Sequence, residues 1–308
     1  TQAGIEVLQH GGNAVDAALA TAITLTVVEP TMNGLGGDGF ALIWDGKKLH
    51  GMNASGRAPA AWTPEYFSGK AAMDLIGWNT VTVPGMVSGW IELSRKFGKL
   101  PFAQLFKRAI DYAENGFPVS PVIARQWREA IPILKNQPGF SESFLIEGKA
   151  PTAGQIWRYP AQAKTLREIA ESEGESFYTG KLAQSMVDFA QSTGGCFTMA
   201  DFANNQTEWV EPLAFDYGEY TLHEIPPNGS GIVAQMALGI LQAANVKQYP
   251  ANSAQRIHLQ VEAMRIAFAD AYAHVSDAST MRVATSALLD RDYLASRAAL
   301  INLSLIHI

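Results

Sequence analysis

Read as a run of apolar and polar positions, the chain opens on two helices. Apolar residues recur every three or four positions over residues 2–9 and stop at His10-Gly11-Gly12, a helix C-terminal signal. Asn13 then caps a second helix over residues 14–28, with Asp16 in its first turn. This second segment is apolar nearly all round and rich in Ala, so it must be buried on most faces. Glu29-Pro30 ends it. The segment from Thr31 to Gly39 reads as a loop in which four glycines permit backbone conformations that other residues avoid. Residues 40–44 and 49–53 read as short strands about the turn Asp45-Gly46-Lys47-Lys48. Residues 80–83 read as a further strand, entering a Pro84-Gly85 turn and then a helix.

Helical spacing dominates afterwards, over residues 89–97, 102–115 and 161–173. Thr198, with Asp201 three positions on, is a variant of the capping box and sets a helix start. A strand or strand pair over 216–225 ends at the rigid turn from Pro226 to Gly231, and helices follow over 233–244 and 254–273. No internal repeat or composition shift marks a boundary, so a single domain over residues 1–302 is expected. Helices, a central hairpin, more helices and a late strand make a mixed α+β layer fold rather than a regular βαβ repeat.

Composition narrows the function classes. With 47% hydrophobic and 17% charged residues, the chain can bury a large core and reads as soluble and globular. Basic residues are scattered and the formal charge is −6, which argues against a nucleic-acid partner. Residues 17–28 are too short an apolar run to span a bilayer. The single cysteine, Cys196, excludes an intrachain disulfide and any cysteine-cluster metal site. With no His or basic residue beside it, it is expected to be a small buried hydrophobe and not a nucleophile. The six histidines are isolated singles, so no metal is expected. No Gly-x-Ser-x-Gly elbow anchors a serine hydrolase. The loop Gly34–Gly39 invites a nucleotide, but it follows a helix and opens a strand, the reverse of a dinucleotide fingerprint, so no cofactor is expected.

Asn53-Ala54-Ser55-Gly56-Arg57-Ala58-Pro59 is the segment with most chemistry. It places a serine and an arginine in a loop just after a strand, where a guanidinium can grip a carboxylate through two parallel hydrogen bonds. On spacing alone a solvated surface arginine is the favoured reading of Arg57.

Taken in order, several segments resemble the large-subunit region of the γ-glutamyltransferase (γ-glutamyltranspeptidase) family. They are Gly11-Gly12-Asn13-Ala14-Val15-Asp16, the loop from Glu29 through Gly34–Gly39 to Phe40, and Val83-Pro84-Gly85. Glu114-Asn115-Gly116-Phe117, Phe177-Tyr178-Thr179-Gly180, Gly194-Gly195 with Thr198 to Asp201, and Pro226-Pro227 with Ser230-Gly231 continue the series. Glu262 to Asp270 is similar to the family's late helix. The likeness runs from Gln2 to about Ile301.

The resemblance implies a four-layer αββα sandwich of the N-terminal-nucleophile hydrolase kind, made as a proenzyme that cuts itself before a threonine. The freed threonine attacks a γ-glutamyl amide such as that of glutathione, and water or an amino-acid amine takes the acyl group. No cofactor and no metal are implied. In the family that threonine belongs to the small subunit, with which the large subunit pairs as a heterodimer. No Thr-Thr-His or similar cleavage element follows Arg297, so no catalytic nucleophile is expected within this chain, which taken alone is expected to be inactive. Residues 303–308 do not resemble the family and are expected to be a non-native tail; Thr1, already in a helical pattern, implies that the natural N-terminus lies upstream.

The family's large subunit supplies one substrate contact, an arginine on the α-carboxylate in an Arg-Glu-x-Ala-Pro segment. Aligned on Ala58-Pro59, Ser55 stands in that arginine's place and Arg57 lies two positions later. This departure marks a divergent Ser-Gly-Arg-Ala-Pro branch, with Arg57 and Ser55 as the candidate substrate-binding residues. Two other readings stay open: an acylase of the same fold for a glutaryl-type or other amide, and a non-catalytic binding module.

Overall fold

The computed structural model describes residues 1–303; most of the tail expected to be non-native, residues 304–308, lies outside the described residues. The chain forms two compact units. One comprises residues 1–39 and 54–207, the other residues 40–53 and, among the described residues, 208–303.

The first unit is helical and is organised about the helix Ala14–Val28. As its all-round apolar character requires, only Ala14 and Ala18 of this helix are exposed. The helix Gln2–Gln9 lies against it so closely that a Cβ on Gly4 would come within 2.8 Å of Thr21 Oγ1. Asn13 and Asp16 form a complete capping box. The Asp16 carboxylate is fully buried and does more than cap its own helix. It accepts from the N–H groups of Asn13 at 2.9 Å, Lys99 at 3.0 Å and Leu100 at 3.3 Å, tying the helix start to the end of the helix Met86–Phe97. A buried carboxylate is tolerated here because backbone donors replace its hydration.

Residues 102–115 divide into a 3-10 turn, Phe102–Phe106, and an α-helix, Lys107–Asn115. The helices Pro121–Leu134 and Lys181–Ser192 add to those expected from spacing. Residues 80–83 do not form a strand: a 3-10 turn at Trp78–Thr80 precedes an extended segment whose Val83 N–H bonds the Arg57 carbonyl at 2.9 Å, outside any ladder. The Val83 side chain is sealed in a core with Ala183, Val187, Ala190, Phe197 and Phe202.

In the second unit the strand Leu49–Ala54 sits between Gly39–Trp44 and Glu208–Val210, pairing antiparallel with the latter with Gly51 opposite Val210. Residues 213–224 form a hairpin, Leu213–Tyr217 with Tyr220–Glu224, which resolves the strand-or-pair alternative in favour of a pair. The helix Ile232–Ala243 is bound to this hairpin by Gln235, a fully buried side chain whose Nε2 donates to the carbonyls of Leu213 and Leu222, both at 3.1 Å. The long helix Ala254–His274 has two apolar faces. Leu259, Ala263, Ala267 and Ala271 face the core with Met236 and Ile240, whereas Ile257, Val261, Met264, Phe268 and Tyr272 form an exposed stripe. Arg297 holds Asp270 of this helix with two bonds, at 2.8 and 3.1 Å. Among the described residues no helix is long and apolar enough to cross a membrane.

Replacing Asp16 by Ala should lower stability by about 2–3 kcal/mol, because buried backbone donors are left unsatisfied. Asp16→Asn, which keeps an acceptor oxygen, should lose less; urea unfolding midpoints of the two variants check the order.

Candidate substrate-carboxylate site

Three backbone segments of the first unit meet around Arg57. The strand Leu49–Ala54 ends immediately before Ser55, and Gly56 adopts φ +78°, the left-handed region that favours glycine. A Cβ at Gly56 would lie 1.8 Å from the Val83 carbonyl oxygen. Opposite it, a Cβ at Gly85 would lie 2.1 Å from the Ala54 carbonyl oxygen and 2.5 Å from the Gly56 nitrogen. The two chains therefore cross with no room for side chains, and the Val83 N–H to Arg57 carbonyl bond locks the crossing. The glycine loop abuts the same place: Met86 N–H donates to the Gly37 carbonyl at 3.0 Å.

None of the four loop glycines, Gly34, Gly36, Gly37 and Gly39, uses the left-handed φ that glycine permits. Gly37 is needed for proximity instead, since a Cβ there would press on Met86 Cε at 3.1 Å and the Gly34 carbonyl at 3.2 Å. The loop lies between the helix ending at Val28 and the strand beginning at Gly39. That is the wrong order for a dinucleotide turn.

The far side of the Arg57 loop is also held. Pro59 is buried, and the Ala60 N–H donates to Asp201 Oδ1 at 2.8 Å. The other oxygen of the same carboxylate accepts from the Thr198 N–H and hydroxyl, both at 2.8 Å, completing the capping box of the helix Met199–Ala203. The sequence shows the capping box; that its carboxylate also holds the Arg57 loop is not visible in local spacing. Its one signal is that a capping carboxylate has a second oxygen to spend.

Between these two anchors Ser55 is half-buried and Arg57 exposed. The loop thus presents a guanidinium and a hydroxyl two residues apart on a backbone fixed at both ends, an arrangement suited to an anion. Beneath it, Tyr178 donates to the Pro84 carbonyl at 2.7 Å and accepts from the Ser88 N–H at 2.9 Å. Burial pushes its phenol up to about 12.

Cys196, expected to be buried, is half-buried and stands beside the Tyr66 phenol. Among the described residues no group of three His, Cys, Asp or Glu could hold a metal ion. Within the second unit, the turn from Pro226 to Gly231 leads into the helix Ile232–Ala243, and Asn53 Nδ2 donates to Asn228 Oδ1 at 2.7 Å.

The family described as Gamma-glutamyltranspeptidase matches residues 1–307. A glutathione hydrolase-like YwrD proenzyme from Bacillus subtilis (strain 168) is 37% identical over 296 residues, which are 95% of this chain and 56% of the relative. Among solved structures, a cephalosporin acylase from Bacillus halodurans is 44% identical with a TM-score of 0.90, covering 98% of this chain and 57% of that one. A gamma-glutamyltranspeptidase from Pseudomonas nitroreducens, complexed with L-DON, is 32% identical with a TM-score of 0.91, covering 100% of this chain and 93% of that one. The chain spans about half the length of the curated relatives it matches.

Gly56→Ala should cost about 3 kcal/mol, through overpacking and a φ that alanine resists. Loss of hydrogen-exchange protection at the Val83 amide would report the opened crossing. Tyr178 carries a pH signature. Its phenol ionises near 10 in the unfolded chain and near 12 when folded, so the stability it confers is complete below pH 10 and is lost as pH rises through 12. Unfolding midpoints between pH 10 and 12 should fall more steeply in the native protein than in Tyr178→Phe.

Proposed function

From a chain that belongs to the γ-glutamyltranspeptidase family, with the N-terminal-nucleophile hydrolase fold of its structural neighbours, we propose the large-subunit part of an amide-cleaving enzyme acting on γ-glutamyl compounds such as glutathione. The observation that carries the substrate reading is the Arg57 loop: an exposed arginine on a backbone fixed by the Gly56–Val83 crossing on one side and Asp201 on the other. Arg57, with Ser55 beside it, grips the substrate carboxylate.

The nucleophile in this proposal is the N-terminal threonine of a small subunit, generated by self-cleavage and paired with this chain as a heterodimer. Its hydroxyl attacks the amide carbonyl while its α-amine takes the proton. Backbone N–H groups hold the oxyanion, the amine leaves, and water or an acceptor amine releases the acyl group. The apolar stripe Ile257, Val261, Met264, Phe268 and Tyr272 supports a covering partner, since an exposed apolar patch of this kind is characteristic of an interaction surface.

A second substrate reading is favoured by the 44% identity to a cephalosporin acylase and by the displacement of the arginine from position 55 to 57. It is a glutaryl-type acyl group, which keeps the terminal carboxylate but lacks the α-amine. The same guanidinium serves both, so turnover of γ-glutamyl against glutaryl anilides by the full-length protein separates them.

Arg57→Ala in that protein should raise KM by about 10- to 100-fold for either anilide, the equivalent of one bidentate charged contact, with little change in kcat. An unchanged KM would remove Arg57 from the site.

A further inference from the structure

The carbonyls of Pro84 and Gly85 face the part of the first unit that lies behind the glycine crossing, and each is met by a hydroxyl. Tyr178 spends its only proton on Pro84, while its oxygen accepts the Ser88 N–H. Ser88 spends its only proton on Gly85, at 2.7 Å. Its oxygen then has acceptor capacity alone, so the Thr207 hydroxyl at 2.7 Å must be the donor in that contact, and Asn205 Nδ2 donates to the same oxygen at 3.2 Å. The protons of Thr207 and Ser88 thus run in one direction to the Gly85 carbonyl, and that of Tyr178 goes to the Pro84 carbonyl. A network with fixed directions holds its members more firmly than rotatable hydroxyls do singly.

These carbonyls flank the peptides that touch the Arg57 loop. Val83, next to Pro84, donates to the Arg57 carbonyl, and Gly85 closes on Ala54 and Gly56. A bidentate guanidinium–carboxylate pair tolerates displacement of only about 0.5 Å before one of its two bonds is lost. We propose that Tyr178 is a positioning residue for substrate carboxylate binding: with Ser88 it holds the 83–85 backbone, and through that backbone it sets the place of Arg57. The proposal rests on Arg57 being the carboxylate clamp. Tyr178 itself touches no substrate.

The test uses the full-length protein with Tyr178→Phe, Arg57→Ala and the double variant. Each is assayed on an anilide whose acyl part carries a carboxylate, γ-glutamyl or glutaryl, and on an acyl anilide of similar length without one. Tyr178→Phe should raise KM for the carboxylate substrate roughly three- to tenfold, the worth of one hydrogen bond, and so narrow the preference for that substrate. The double variant should be no worse on KM than Arg57→Ala alone, because both act on one contact. A parallel loss on both substrates, or losses that multiply in the double variant, would show that Tyr178 serves stability alone and overturn the inference. If Arg57→Ala raises KM and Tyr178→Phe does not, this inference falls while the Arg57 reading stands. If Arg57→Ala has no effect, both fall. Should Tyr178→Phe not fold, Ser88→Ala gives the same readout through the Gly85 carbonyl.

Discussion

The arrangement of the candidate site depends on one close contact, the crossing of residues 54–57 over residues 83–85. Backbone lies against backbone there because both positions of closest approach are glycine. Everything proposed for Arg57 follows from that lack of volume. The loop bearing the guanidinium cannot slide, since Gly56 meets the Val83 carbonyl on one face and Gly85 meets the Ala54 carbonyl on the other. An ordinary loop would carry the same arginine through many positions, and a flexible cation pays the entropy of ordering for each ligand it holds. A fixed one has settled that cost in folding.

A rigid loop also bears on substrate choice. In the family pattern an arginine stands where this chain has Ser55, and the cation here comes from position 57. Moving a bidentate donor by two residues along a fixed turn changes where its carboxylate must sit, and Ser55 adds a small hydroxyl in the vacated place. Such a change is a difference of register rather than of chemistry. Under the proposed role of Arg57, it would retain recognition of an acidic acyl end while altering which acyl chain reaches it; the relatives include both a glutathione hydrolase-like protein and a cephalosporin acylase.

Much of this was legible in the sequence, where local chemistry acts locally. Asn13 with Asp16 and Thr198 with Asp201 announced helix starts that are present with both halves of each capping box. The paired strands after the glycine loop and the buried helix 14–28 likewise followed from pattern. What escaped were features that depend on distant partners. The glycines at 34–39 suggested unusual dihedrals, whereas Gly37 serves proximity to Met86, a neighbour that spacing cannot reveal. Residues 80–83 have strand composition, yet their backbone bonds go to Gly77, Trp78 and Arg57 and none belongs to a ladder. The helix Lys181–Ser192 was missed although its buried face, Ala183, Val187 and Ala190, walls the core around Val83. Arg57 could be named as a candidate only once the family resemblance was added to the spacing; its two anchors could not.

The Asp201 carboxylate, which serves a helix start and the Arg57 loop together, bridges residues 141 positions apart. In a chain made from the N-terminus, the loop at 57 therefore waits for most of the first unit before its second anchor exists. Closing so long a span costs more entropy than closing a short one, and folds rich in such distant contacts fold more slowly. The segment that presents the guanidinium is accordingly among the last parts of its unit to acquire a defined shape during synthesis, so the candidate site stays unformed until the scaffold that must hold it is complete.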